Sequence, residues 1–209
     1  MIYAIGDIHG CASALEMLLN LLPLEKSDRL IFLGDYVDRG PDSKLVLNKL
    51  ISLRDVYDCV FLRGNHEWMM LNYLDEGRDF ELWSINGAMA TIRSYGGIEK
   101  IPREHIEFLH STVFYHVETD FVFVHAGVRP SIPLEKQSYF DLVWIRDEFI
   151  FCDEPLKDYT VVFGHTPFEK VFFGKNKIGI DTGCVYGGNL TAMRLYDRKI
   201  FQIKCGDLR

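Results

Sequence analysis

Apolar residues come along this chain in short dense bursts, and several of the bursts stop abruptly at polar groups. Five of them read IYAIGDIHG (2–10), RLIFLGD (29–35), CVFLRGNHE (59–67), FVFVHAG (121–127) and VVFGHT (161–166), and a sixth, IGIDTG (178–183), resembles them. Both alternating faces of these runs are apolar. The pattern therefore predicts strands covered on two sides, as in a layered α/β protein or a mixed-sheet sandwich. Helical spacing fills several of the intervals. Leu15, Leu18, Leu19 and Leu22 share one face before Pro23; Val46, Leu50 and Leu53 do the same after Pro41, with Asp42 or Ser43 as N-cap. Further helices are predicted over 66–75, 80–95 and 102–112. The alternation across 190–204, interrupted at Asp197 and Arg198, predicts a hairpin.

Composition fits that picture without changing it: 209 residues with 48% hydrophobic content can bury one core, so a single domain over 1–209 is expected. Charge removes one class of partner. With 30 acidic against 23 basic residues, a net charge of -7 and no run of Lys or Arg, the chain is poorly suited to duplex nucleic acid. Phosphorylated substrates stay open, because bound cations reverse a local field. Cys11, Cys59, Cys152, Cys184 and Cys205 are odd in number and form no CxxC, so reduced thiols are expected. There is no basic leader and no apolar run of membrane-spanning length, so the expectation is a soluble cytoplasmic protein without a membrane partner.

Ligands collect at the carboxyl ends of strands in open sheets, and there this chain places Asp7, His9, Asp35, Asn65, His66, His125 and His165. Carboxylates, imidazoles and an amide oxygen suit first-row divalent metals. Asp7 and His9, two apart on an extended segment, would face one ion together. Asn65, His125 and His165 would hold a second, with Asp35 bridging. Each fragment alone has a plainer reading as a turn carboxylate or a structural imidazole; their joint occurrence at strand ends makes the case.

The motifs GDIHG, GDYVDRG, GNHE, HAG and GHT occur in this order over residues 6–166, with IDTG extending them to 183. In this the chain resembles the phosphoprotein phosphatase family of calcineurin-like metallophosphoesterases, serine/threonine protein phosphatases of bacterial type included. The resemblance implies an α/β fold in which two mixed β-sheets pack between helices, with metals at the strand ends. It also implies that Asp7, His9 and Asp35 bind one metal, and that Asp35, Asn65, His125 and His165 bind the other. His66 then corresponds to a general acid oriented by Asp38, while Arg39 and Arg146 correspond to phosphate-gripping arginines. The cofactor would be two divalent ions, manganese first, with iron, zinc or cobalt also fitting. Glu67 has two readings, as support for the site or as a favourable charge at a helix start.

Two cations can neutralise a phosphate and acidify a bridging water for direct attack, so no nucleophilic side chain is needed. The expected function is hydrolysis of phosphoserine or phosphothreonine, and of phosphotyrosine as well, in a protein or peptide. The alternative is a symmetrical diadenosine tetraphosphate hydrolase, acting on a dinucleoside polyphosphate. Asp38 and Glu67 favour the first. A non-catalytic binding scaffold is the remaining class, and it would be expected to have lost a ligand or an arginine; none is missing. His105, His110 and His116 lie outside the motifs and are read as surface or helix residues. Trp68, Trp83 and Trp144 are read as core or pocket walls, and no spacing rule gives Tyr186 a role.

Overall fold

The computed structural model describes residues 1–206. Among the described residues ten strands and eight α-helices follow one another in chain order. The strands are β1 (Ile2–Ile5), β2 (Arg29–Phe32), β3 (Asp58–Phe61), β4 (Tyr115–Glu118), β5 (Phe121–Val124), β6 (Thr160–Phe163), β7 (Phe172–Gly174), β8 (Lys177–Gly179), β9 (Asn189–Arg194) and β10 (Lys199–Lys204). The helices are α1 (Ala12–Leu21), α2 (Ser43–Leu53), α3 (Asn65–Glu76), α4 (Phe80–Ile85), α5 (Ala88–Tyr95), α6 (Arg103–His110), α7 (Tyr139–Trp144) and α8 (Asp147–Ile150). All six apolar bursts are strands, and they are the six that run parallel.

One sheet has the order β10-β9-β1-β2-β3, the other β4-β5-β6-β8-β7. In the first, β1, β2 and β3 are parallel while β9 and β10 form the hairpin, pairing Lys199 with Arg194 through Lys204 with Asn189. In the second, β5, β6 and β8 are parallel and the edges β4 and β7 are antiparallel. Both sheets are therefore mixed.

Alternation along the strands builds the layers. Ala4 and Ile31 meet Phe123, Val162 and Ile178 between the sheets. Their neighbours Tyr3, Ile5, Leu30 and Phe32 point the other way, onto Leu15, Leu18, Val46, Leu50 and Phe108 of the helices. On the far side Val122, Val124, Val161 and Phe163 cover Leu142 and Phe149. The result is two mixed sheets between helical layers, the calcineurin-like metallophosphoesterase sandwich that was expected. It puts two sets of three parallel strand ends side by side.

Several expectations need correction. The helix predicted over 80–95 is two helices, broken at Gly87 with φ +112°; a Cβ there would sit 3.0 Å from the Arg39 backbone nitrogen. Close approach of that loop thus overrides helical spacing. The thiols are not all reduced: Cys184 and Cys205 form a disulfide with their Cα atoms 5.2 Å apart. No local signal foretold it, because 21 residues separate the pair and only the hairpin brings Cys205 back, where its amide bonds the Gly188 carbonyl. His105 is on α6 but buried, with Nδ1 at 2.6 Å from the Tyr95 hydroxyl and Nε2 at 2.9 Å from Asn48 Oδ1. Among the described residues no helix is long and apolar enough to cross a membrane.

Candidate metal centre at the strand ends

The carboxyl ends of β1, β2, β3, β5 and β6 deliver Asp7 and His9, Asp35, Asn65 and His66, His125, and His165 to one place, all buried. Asp35 stands at the centre. Two sets of ligand atoms lie within 4.8 Å of one another, His9 with Asp35 and His66, and Asp35 with His125 and His165. Asp35 belongs to both, as a bridging carboxylate must. Asp7 lies in neither tight set; its carboxylate accepts the His165 amide at 3.0 Å. The extended-segment geometry expected for Asp7 and His9 is wrong. The strand ends at Ile5, His9 has φ +45°, and the Ile8 and His9 amides both donate to the Asp35 carbonyl.

Ring tautomers test whether cations fit. His9 Nδ1 donates to the Val37 carbonyl at 3.0 Å, and His125 Nδ1 to that of Leu33 at 2.8 Å. A carbonyl can only accept, so each Nε2 carries a lone pair. His125 Nε2 then faces other acceptors, Asn65 Oδ1 at 3.0 Å and Asp35 Oδ1 at 3.4 Å. Lone pairs at such distances repel unless a cation lies among them. His165 turns Nδ1 into the same group, 2.9 Å from Asn65 Oδ1 and 3.2 Å from His125 Nε2. His66 Nε2 is buried with no hydrogen-bond partner among the described residues. The donor set fits a divalent pair.

Electrostatics agrees. Burial pushes Asp7 well above the carboxylate range, with Asp181 and Asp35 adding repulsion. Burial acts on Asp35 in the same sense, but any positive charge on the surrounding groups His125, His66, His9 and His165 outweighs it and holds Asp35 below its usual value. Burial lowers His9, His125 and His165, so the neutral ring that can ligate is favoured and the charge opposite Asp35 falls to cations.

The surrounding residues fix the ligands in place. Glu67 accepts from the amides of Asp35 and Tyr36 at 2.8 Å, of Gly64 at 2.9 Å and of Val37 at 3.3 Å. Both of its readings are thus satisfied, since it begins α3 and also holds the loop bearing Asp35. Asp38 accepts from His66 Nδ1 at 2.7 Å, Trp83 Nε1 at 2.8 Å and Thr91 Oγ1 at 2.6 Å. Arg39 Nη1 lies 2.7 Å from His9 Nε2, and Arg146 Nη1 donates to the His165 carbonyl at 3.1 Å and Thr166 Oγ1 at 3.0 Å. One arginine thus stands by each metal set.

Five of these residues, His9, Asp35, Asp38, Arg39 and His165, have φ between +45° and +70°. Each such left-handed non-glycine residue costs about 1 kcal/mol or more, and that strain clusters here rather than in the sheets. Glycine appears where a carboxylate must come close: a Cβ on Gly64 would lie 2.1 Å from Asp35 Oδ1, and one on Gly164 equally near Asp7 Oδ1.

Two residues of this region escaped the candidate set. Asp181, at the end of β8, is buried and pushed up to about 6 by that burial, and its Oδ1 accepts the Gly183 amide at 2.9 Å. The sixth apolar burst was its signal. Tyr186 rests its ring over the Arg39 guanidinium, 5.6 Å from Cζ to the ring centroid. Only the folded chain brings those two together.

A family model described as calcineurin-like phosphoesterase matches residues 1–204. A curated relative in Nitrosospira multiformis, a symmetrical bis(5'-nucleosyl)-tetraphosphatase, is 26% identical, with 98% of this chain and 96% of that protein covered. In Anoxybacillus flavithermus, an asymmetrical bis(5'-nucleosyl)-tetraphosphatase named PrpE is 30% identical over 93% of this chain and 90% of its own. A crystal structure described as that of a candidate diadenosine tetraphosphatase superposes with a TM-score of 0.77 at 26% identity, over 97% of this chain and 92% of that one. These relatives overturn the expected preference for phosphoserine and phosphothreonine. Asp38 and Glu67 were weighed as marks of a protein phosphatase, yet the structure gives them tasks that any substrate of this centre would need, orienting His66 and holding the loop of Asp35. With the match running through residue 204, the chain belongs to the calcineurin-like phosphoesterase family, metal-dependent hydrolases of phosphoric esters.

Proposed function

We propose that this chain hydrolyses bis(5'-nucleosyl) tetraphosphates at a dinuclear metal centre, residues 1–209 acting as one catalytic unit. What carries the reading is that relatives aligned over nearly their whole length bear that name, symmetrical in one branch and asymmetrical in the other. In it, Asp7, His9 and Asp35 hold one cation and Asp35, Asn65, His125 and His165 the other, with manganese the first choice. Cations there supply charge neutralisation and acidify the attacking water. Arg39 and Arg146 grip phosphoryl oxygens from the two ends of the cluster, where a fork of paired donors does better than a point charge. His66, its Nδ1 held by Asp38, turns its Nε2 toward the departing oxygen.

The chemistry tolerates this substrate well. Four linked phosphates carry dense negative charge, which explains how a chain of net charge -7 can bind one only through cations and two arginines. A nucleotide leaves more readily than an alkoxide, so the proton from His66 matters less than it would for a phosphoserine.

The test is to load the protein with manganese and compare kcat/KM on diadenosine tetraphosphate and on a phosphothreonine peptide. An advantage of about 100-fold or more for the dinucleotide, roughly 2.7 kcal/mol in transition-state binding, is expected. A ratio near one or reversed removes the reading. Chromatography of the products distinguishes the branches, ADP alone for a symmetrical cut, ATP with AMP for an asymmetrical one.

A further inference from the structure

Two exposed aromatic rings lie close to the metal cluster. Tyr186 is 59% exposed. Its ring covers Arg39, whose Nη1 lies 2.7 Å from His9 Nε2, so it stands one side chain away from the first ligand set. The turn that carries it is built rigidly: Gly183 and Gly187 flank it with φ of +70° and +88°, Asp181 accepts the Gly183 amide, and the disulfide ties Cys184 to Cys205. At the other end Phe140 is 57% exposed. It lies nearly parallel to Trp144, 28° between planes at 6.2 Å, and Trp144 meets the His165 ring edge-on at 6.0 Å. Phe140 is thus one side chain from the second set.

We infer that Tyr186 and Phe140 are stacking platforms for the two bases of a dinucleoside tetraphosphate, one at each end of the cluster. This rests on the proposed function. A base has a π-face whatever its sequence identity, and an aromatic side chain backed by a guanidinium or an indole is already desolvated on one face and held flat. The free face then takes the base at little ordering cost. A substrate with two bases joined by a phosphate chain needs such a surface on both sides of the cleavage point; a phosphorylated peptide needs neither.

Tyr186→Ala, Phe140→Ala and the double variant, loaded with manganese, are assayed on diadenosine tetraphosphate and on inorganic tetraphosphate, which offers the same anhydrides without a base. Each single change is expected to raise KM for the dinucleotide about tenfold, and the double about 100-fold, while kcat stays within about twofold. For inorganic tetraphosphate kcat/KM should move less than about twofold in Phe140→Ala and, since the Tyr186 ring also covers Arg39, by a several-fold smaller factor than for the dinucleotide in Tyr186→Ala, while Tyr186→Phe should keep the parent's dinucleotide KM. Calorimetry with a methylene-bridged, uncleavable dinucleotide should show the same loss in affinity. Equal losses on both substrates, or a dinucleotide KM within about twofold of the parent in the double variant, overturn the inference. A parent protein that cleaves inorganic tetraphosphate but not the dinucleotide overturns the proposed function instead.

Discussion

The same strands look like two different materials a few residues apart. Between the sheets, Ala4, Ile31, Phe123 and Val162 are fully buried, apolar and regularly extended. Just past the strand ends, Asp7, Asp35, Asn65, His125 and His165 are almost equally buried, yet they are polar or charged, and Asp35 and His165 have left-handed backbone. The first region lowers the free energy of the fold, and the second raises it until cations arrive. Stability and chemistry are thus divided along each strand, and the rigid interior is what allows repelling groups to be held together.

That division can be broken from either side. The largest effect is expected for Phe123→Ala, which should lose about 3–5 kcal/mol of stability in urea through a cavity between the sheets, and equally with or without metal. A metal-dependent difference there would mean that the two regions are not separate. Replacing Cys184 and Cys205 together by Ser should cost about 3 kcal/mol, the value for a loop of this length, seen as a lower midpoint in the same titration. No shift would mean that the bridge is not formed in solution.

The strand-end region should respond to cations instead. Manganese at about 100 times its dissociation constant should stabilise the protein by about 2.7 kcal/mol, a chelator should reverse this, and Asp35→Asn should abolish most of it. Glu67→Gln, which removes a charge that four backbone amides share, should weaken metal binding about 10- to 100-fold by calorimetry while leaving the fold intact. The smallest effect is expected for His66→Asn, less than about tenfold on diadenosine tetraphosphate against about 100-fold or more on an alkyl phosphate. Equal losses on both would end its assignment as the proton donor.

Much of this was legible in order of sequence. The central parallel strands were visible because a strand covered on both faces reads as an unbroken apolar run, β3 because its short run Cys59–Leu62 stops at a polar group, and each ligand candidate because it stood just past such a run. The short helices α7 and α8 were not, since four to six residues are too few to show a period. Nor were the edge strands β4 and β7, which are only partly buried. The choice between a phosphorylated protein and a dinucleotide misread Asp38 and Glu67, because a residue's type does not say which atoms it will touch.

What the sequence determined alone is therefore local and periodic: strands, helix faces, the hairpin, and polar groups placed at strand ends. What only the tertiary structure decided depends on contacts between distant segments. It joined Cys184 to Cys205, brought Asp181 and Tyr186 to the cluster, turned Glu67 onto three amides of a neighbouring loop, and set Arg39 beside His9 and Arg146 beside His165. The reason is that hydrophobic periodicity is written along the chain at intervals of two or 3.6 residues, whereas the distance between two side chains across a sandwich depends on how the layers pack.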